Sequence, residues 1–145
     1  MRAVGYQTPG PIVAPQSLAD IDLPRPAPQG RDLLVAVKAI SVNPVDAKVR
    51  AGVAPEAGQW KVLGWDVAGV VVETGPEASR FKPGDAVFYA GAIDRPGANA
   101  EFHLVDERIV GAKPASLSFA EAAALPLTAI TAWEALVDRL DVRKP

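Results

Sequence analysis

Fourteen prolines and twelve glycines are spread along the whole of this 145-residue chain, and they limit the length of any regular element it can hold. Proline fixes φ and lacks a backbone N–H, so it is excluded from central strands and from helix interiors. Pro9-Gly10-Pro11 marks an early turn, and Pro24, Pro26, Pro28 and Gly30 form a stiff linker. Between the breaks lie short apolar runs rich in β-branched residues. Leu33 to Val42 reads as a long strand, buried on both faces at one end because its apolar residues do not alternate cleanly. Val67 to Val72 and Ala86 to Tyr89 read as further strands, the second entered through the turn Phe81-Lys82-Pro83-Gly84-Asp85. Ala100 to Val105 and Arg108 to Gly111 complete the set. Short strands separated by turn residues predict an all-β barrel or sandwich.

The last third changes character. Ser118-Phe119-Ala120-Glu121 is a capping box that starts a helix, and the alanines after it favour helix. Pro126 ends or kinks that helix. A second helix then carries Ile130, Trp133, Val137 and Leu140 at spacings of three and four, which predicts a stripe packed on the barrel. The fold class expected is mainly β with C-terminal helices.

Composition excludes several classes of function. A 49% apolar, 22% charged chain is globular rather than disordered. The net charge of -2, with Lys and Arg scattered, offers no basic stripe for nucleic acid. There is no cysteine, hence no disulfide framework and no thiolate to bind metal or attack a substrate. The N-terminus lacks the apolar core of a signal peptide. Uninterrupted apolar runs fall far short of the ~20 residues that cross a bilayer. These readings predict a soluble, cytoplasmic protein with no membrane partner.

Four segments carry a family likeness: VKAISVNPVDAKVRAG (37–52), LGWDVAGVVVETG (63–75), RFKPGDAVFYAG (80–91) and AEFHLVDERIVGAKPASLSFAEAAALPLTAITAWEAL (100–136). In order and at this spacing they resemble the N-terminal GroES-like catalytic domain of medium-chain dehydrogenases/reductases. The nearest subgroup is the zinc-type alcohol dehydrogenase-like proteins and quinone oxidoreductases. The resemblance implies that residues 1–145 are a partial GroES-like β-barrel domain. Residues 118–145 would form a helical segment leading to a Rossmann domain absent from this chain. It also implies NADP(H) or NAD(H) as cofactor in the full-length protein, with hydride passed to a carbonyl, a quinone or an activated alkene such as an enone. A homodimer of the full-length protein is the assembly it allows.

Zinc needs three or four N, S or O donors. In zinc-bearing relatives the first ligand is a Cys, and the position it implies here is Asn43. The second, a His, falls at Trp65, and the third, a Cys, at Leu127. An indole and an aliphatic side chain cannot ligate zinc, so no metal site is expected. The lone His103 lies in a strand-like stretch without partner donors and is read as structural or exposed.

The resemblance assigns Asn43, Asp66 and Lys48 to the candidate catalytic set, and Asn43 with Thr131 to the nicotinamide. Asn43 would supply the hydrogen-bond donor for a developing oxyanion that zinc supplies elsewhere. The residues taken alone admit plainer roles. Asn43 precedes a proline, Asp46 and Asp66 can anchor local backbone, and Lys48 can be a surface lysine. Thr131 can bond back to its own helix, and Trp65 can fill core. No Gly-x-Gly-x-x-Gly fingerprint occurs in the chain, so the part in hand is expected to be inactive alone. The alternative is a non-catalytic GroES-like binding or scaffolding module.

Overall fold

The computed structural model describes residues 1–15 and 17–142. The end of the expected 118–145 helical segment, residues 143–145, lies outside them. Among the described residues eight strands form two antiparallel sheets. The smaller sheet has the order β2-β1-β4, from β1 (Arg2–Tyr6), β2 (Ala19–Asp22) and β4 (Lys61–Val62). The larger has the order β7-β3-β5-β6-β8, from β3 (Asp32–Ser41), β5 (Asp66–Thr74), β6 (Ala86–Ala90), β7 (Phe102–Asp106) and β8 (Gly111–Ala112). Residues 99–101 stitch the sheets together. Val4 N–H donates to Asn99 O, Glu101 N–H to Arg2 O, and Val37 N–H to Glu101 O. The mainly-β barrel expectation is met.

The main core is enclosed by the larger sheet. Leu33, Val35, Val67, Val71, Val87 and Val105 are buried together there, and Leu33 to Val35 are buried consecutively, on both faces of β3. Gly69 is required where β5 pairs closely with β3. A Cβ on it would lie 2.4 Å from Ala36 O, beside a bulge in β3 between Val37 and Ala39. One expected strand differs. Residues 107–109 form a 3₁₀ turn, because the Asp106 carboxylate accepts from Arg108 N–H and ends the strand. Only Gly111–Ala112 of that region pairs, with β6.

Helix α1 (Pro44–Gly52) was not anticipated from periodicity, since it is only two and a half turns long. Its signals are terminal: Asn43 at the N-cap, Pro44 in the first turn and Asp46 behind it. Tyr6 fastens its far end, donating to Val49 O (2.9 Å) and Val53 O (2.7 Å). Helix α2 (Phe119–Ala123) begins at the expected capping box, with Ser118 N–H donating to Glu121 Oε2 and Glu121 N–H to Ser118 Oγ. It stops before Pro126, which opens α3 (Pro126–Trp133); a wider-wound helical stretch follows over Glu134–Arg139.

The expected packing of the second helix is overturned. Ile130, Trp133 and Leu140 are exposed, Trp133 at 64%, and Val137 is only half-buried. In α3 only Pro126 is buried, because the helix projects past the barrel after its first turn. The run Phe119–Arg139 has 21 residues and holds an 18-residue window of mean hydropathy 1.2, long and apolar enough to cross a membrane by length and composition. That run was not visible as an uninterrupted apolar stretch, because Glu121, Thr128 and Thr131 divide it.

Candidate active site

The site gathers where β3 ends, β5 begins and α3 starts. Asn43 is extended (φ -120, ψ 162), as a residue before proline must be. Two buried carboxylates hold it. Asp46 accepts from the Asn43 backbone N–H at 2.8 Å, and its other oxygen accepts from Gly64 N–H at 2.8 Å. Gly64 can be held this way because it is a glycine: its φ is +91, and a Cβ would meet Asn99 Oδ1 at 2.6 Å. Asp66 takes the side chain. Its Oδ2 accepts from Asn43 Nδ2 at 2.9 Å, and its Oδ1 accepts from Leu127 N–H at 2.8 Å.

This geometry fixes the carboxamide. An ionised carboxylate only accepts, so the atom of Asn43 that faces Asp66 is the nitrogen. Nδ2 makes no other hydrogen bond with a described residue. Asp66 itself is fully buried. Burial pushes its carboxyl pKa up from the ordinary value; the bonds from Asn43 and Leu127 pull it down, and the nearby Asp46 charge pushes it up again.

The other expected site residues divide. Thr131 joins the group at one remove, donating its hydroxyl to Leu127 O at 2.9 Å one turn along α3, as a helical threonine does. Lys48 is exposed on α1, and its side chain makes no hydrogen bond or ion pair with a described residue. Trp65 turns away from Asp66, as consecutive residues do. It packs with Tyr6, Val49 and Leu63 in a second core cluster, 4% exposed.

The three positions that would hold zinc therefore carry a carboxamide already bonded to a carboxylate, a core indole and an aliphatic side chain. No three His, Cys, Asp or Glu side chains gather to hold a metal among the described residues. This donor set does not fit zinc. His103 is buried and fully engaged. Its Nε2 faces Pro96 O at 3.0 Å, so that nitrogen carries the proton, and its Nδ1 accepts from Tyr89 OH at 2.9 Å. Burial lowers its pKa to about 4.

Two buried charges escaped the sequence reading. Arg50 donates to Gly10 O and Ser17 O and lies over the Tyr6 ring, tying α1 to the loop after β1. Glu107 accepts from Ser79 N–H, Arg80 N–H and Arg31 Nη1. Their partners lie 27 to 76 residues away in sequence, beyond the reach of any local pattern.

Residues 29–132 match the alcohol dehydrogenase GroES-like domain. The chain belongs to this family. Among curated relatives it is 41% identical over 142 residues to a zinc-type alcohol dehydrogenase-like protein of Staphylococcus aureus, covering 98% of this chain and 42% of that one. It is 45% identical over 112 residues to a 2-methylene-furan-3-one reductase of Solanum lycopersicum, covering 72% of this chain and 29% of that one. Among solved structures it superposes with TM-score 0.96 and 66% identity on a candidate zinc-dependent alcohol dehydrogenase protein of Rhizobium etli, covering all of this chain and 42% of that one. It superposes with TM-score 0.80 and 29% identity on Escherichia coli quinone oxidoreductase complexed with NADPH, covering 94% and 40%. The chain thus spans under half the length of these relatives, and it is a medium-chain dehydrogenase/reductase domain of an oxidoreductase family.

Proposed function

We propose that this chain is the substrate-side part of a zinc-independent oxidoreductase that passes hydride from NADP(H) or NAD(H) to a quinone, an enone or another small carbonyl compound. The observation that carries the reading is the placement of Asn43. Its carboxamide is locked by Asp66 at the mouth of α3, with one N–H unspent.

The nicotinamide cofactor supplies the hydride when bound. Asn43 and Thr131 are the residues of this chain proposed to meet its ring. As the acceptor carbon takes hydride, its oxygen gains negative charge. The free Nδ2 hydrogen of Asn43 is the donor we assign to that oxygen, a task that zinc performs in metal-bearing relatives. Lys48, exposed on α1, stays in the proposed catalytic set on the family resemblance alone. Tight dinucleotide binding rests mainly on pyrophosphate held at a glycine-rich helix N-terminus, and no such loop occurs in this sequence. The 145-residue chain alone is therefore proposed to be inactive. The lack of cysteine supports the cytoplasm as its compartment, and a homodimer of the full-length protein rests on family resemblance.

The test is made on full-length protein purified with a chelator. Oxidation of NADPH and of NADH is followed with 1,4-benzoquinone, an enone and an aldehyde, and bound metal is measured by elemental analysis. Turnover of at least one acceptor with far less than one zinc per chain is expected. One tightly held zinc per chain, required for activity, would contradict the reading. So would no turnover with any acceptor.

A further inference from the structure

Asp66 is the residue whose chemistry the proposed reaction does not use directly. It is fully buried, both its oxygens are occupied, and it is out of reach of a ligand. What it joins is unusual in being non-local. Asn43 lies 23 residues before it and Leu127 lies 61 residues after it. Asn43 is at the β3–α1 junction, and Leu127 is the second residue of α3. Among the described residues, the Leu127 N–H bond to Asp66 is the only hydrogen bond between α3 and either sheet. Apart from Pro126, α3 buries nothing that would fix it otherwise.

We propose that Asp66 is a positioning residue, whose carboxylate sets the Asn43 carboxamide and the first turn of α3 in a single register. The proposal rests on the reading of Asn43 as the oxyanion donor. The direction of the Asn43 amide then depends on where α3 sits, and anything that moves α3 acts on Asn43 through this carboxylate. A carboxylate suits the task because it accepts at both oxygens at once. An amide of the same shape cannot. With asparagine at this position, satisfying Leu127 N–H leaves an NH₂ group facing the NH₂ of Asn43, and one of the two carboxamides must turn over. Once the Asn43 group turns, its oxygen faces residue 66 and its donors are re-aimed.

Asp66→Asn is therefore the informative variant, since it keeps size and shape. Its first readout is nuclear magnetic resonance of the full-length protein labelled with ¹⁵N in leucine and asparagine. The Leu127 amide and the Asn43 side-chain amide should both shift, while the melting temperature stays within a few degrees of the parent. Unmoved resonances at either group would overturn the proposal. This arm needs no activity, so it stands even if the proposed reaction fails.

The second readout is NADPH-dependent reduction of 1,4-benzoquinone. A fall in kcat on the order of 10²-fold is expected, with KM for the quinone changed far less. In the Asn43→Ala background the same substitution should cost nothing further, because both act through one group. Losses that multiply in the double variant would show that Asp66 acts independently of Asn43. If Asp66→Asn fails to fold, Asp66→Glu takes its place. It keeps the charge and both acceptors but displaces them, and it should shift the same two resonances; a silent Asp66→Glu would overturn the proposal.

Discussion

The barrel and the helical end of this chain use the same apolar alphabet to opposite effect. In the barrel, Leu33, Val35, Val67, Val71, Val87 and Val105 are sealed within the larger sheet. Beyond Pro126, Ile130, Trp133, Leu136 and Leu140 are spaced just as regularly, yet they face outward. Periodicity records that a face is meant to be covered; it does not record what covers it. In the barrel the apolar faces find their cover close by, the main core within the larger sheet, Ala68 under Ala122 and Ala123 of α2, and Tyr6 against Val49 of α1. After α3 leaves the barrel, nothing among the described residues can supply one. The polar anchors follow the same division. Glu107, Arg50, Asp46 and His103 lock loops onto the barrel, whereas α3 is held to the sheets by the single Asp66–Leu127 hydrogen bond.

Leu33→Ala probes the sealed region and should cost most. Leu33 is fully buried in the main core, and truncating such a leucine destabilises by about 2–5 kcal/mol. Denaturant unfolding measures it, and a loss below about 1 kcal/mol would mean that the core relaxes around the gap.

His103 sharpens the comparison through pH. Its folded pKa, about 4, lies below the ordinary 6.5 because burial disfavours the cation. The unfolded chain therefore takes up the proton first as pH falls. The stability His103 confers is complete above pH 6.5 and is lost as pH drops toward 4, on the order of 3 kcal/mol in all. Unfolding curves across this range, compared with a His103→Gln variant, should show the steeper acid slope in the parent. Equal slopes would remove His103 from the account.

Trp133→Ala probes the open region and should cost least. In the 145-residue chain the change in stability should stay below about 1 kcal/mol, since the side chain is 64% exposed. In the full-length protein the same substitution should cost about 3–5 kcal/mol if the remainder of the protein covers this face. Equal small effects in both would leave the face exposed in the whole protein as well.

What the sequence disclosed, and what it did not, follows the same physics. Strands β3, β5, β6 and β7, the Ser118–Glu121 cap and the break at Pro126 were legible because each is decided by neighbours within a few residues, whereas the short strands β1, β2 and β4 of the smaller sheet were not read. Gly69, the one glycine within the Val67–Val72 run, is the mark of its close approach to β3. Helix α1 was missed for want of length, although Asn43-Pro44 with Asp46 marks its start. At the candidate site, Asn43 could be singled out, and the unsuitability of Asn43, Trp65 and Leu127 for zinc could be read from their side chains. The role of Asp66 could not, because its partners are brought to it only by the folded sheet. Thr131 shows the limit from the other side: its bond to Leu127 O is what any helical threonine can make, and it neither requires nor forbids a ligand.

The most direct test of the account is kcat for Asn43→Ala in the full-length protein, measured with NADPH and 1,4-benzoquinone alongside the melting temperature. Removal of a donor aimed at a developing oxyanion costs on the order of 10²–10³ in rate. A fall of that size is expected in a variant that melts near the parent. An unchanged kcat in a folded variant would contradict it and leave Asn43 as no more than the cap of α1.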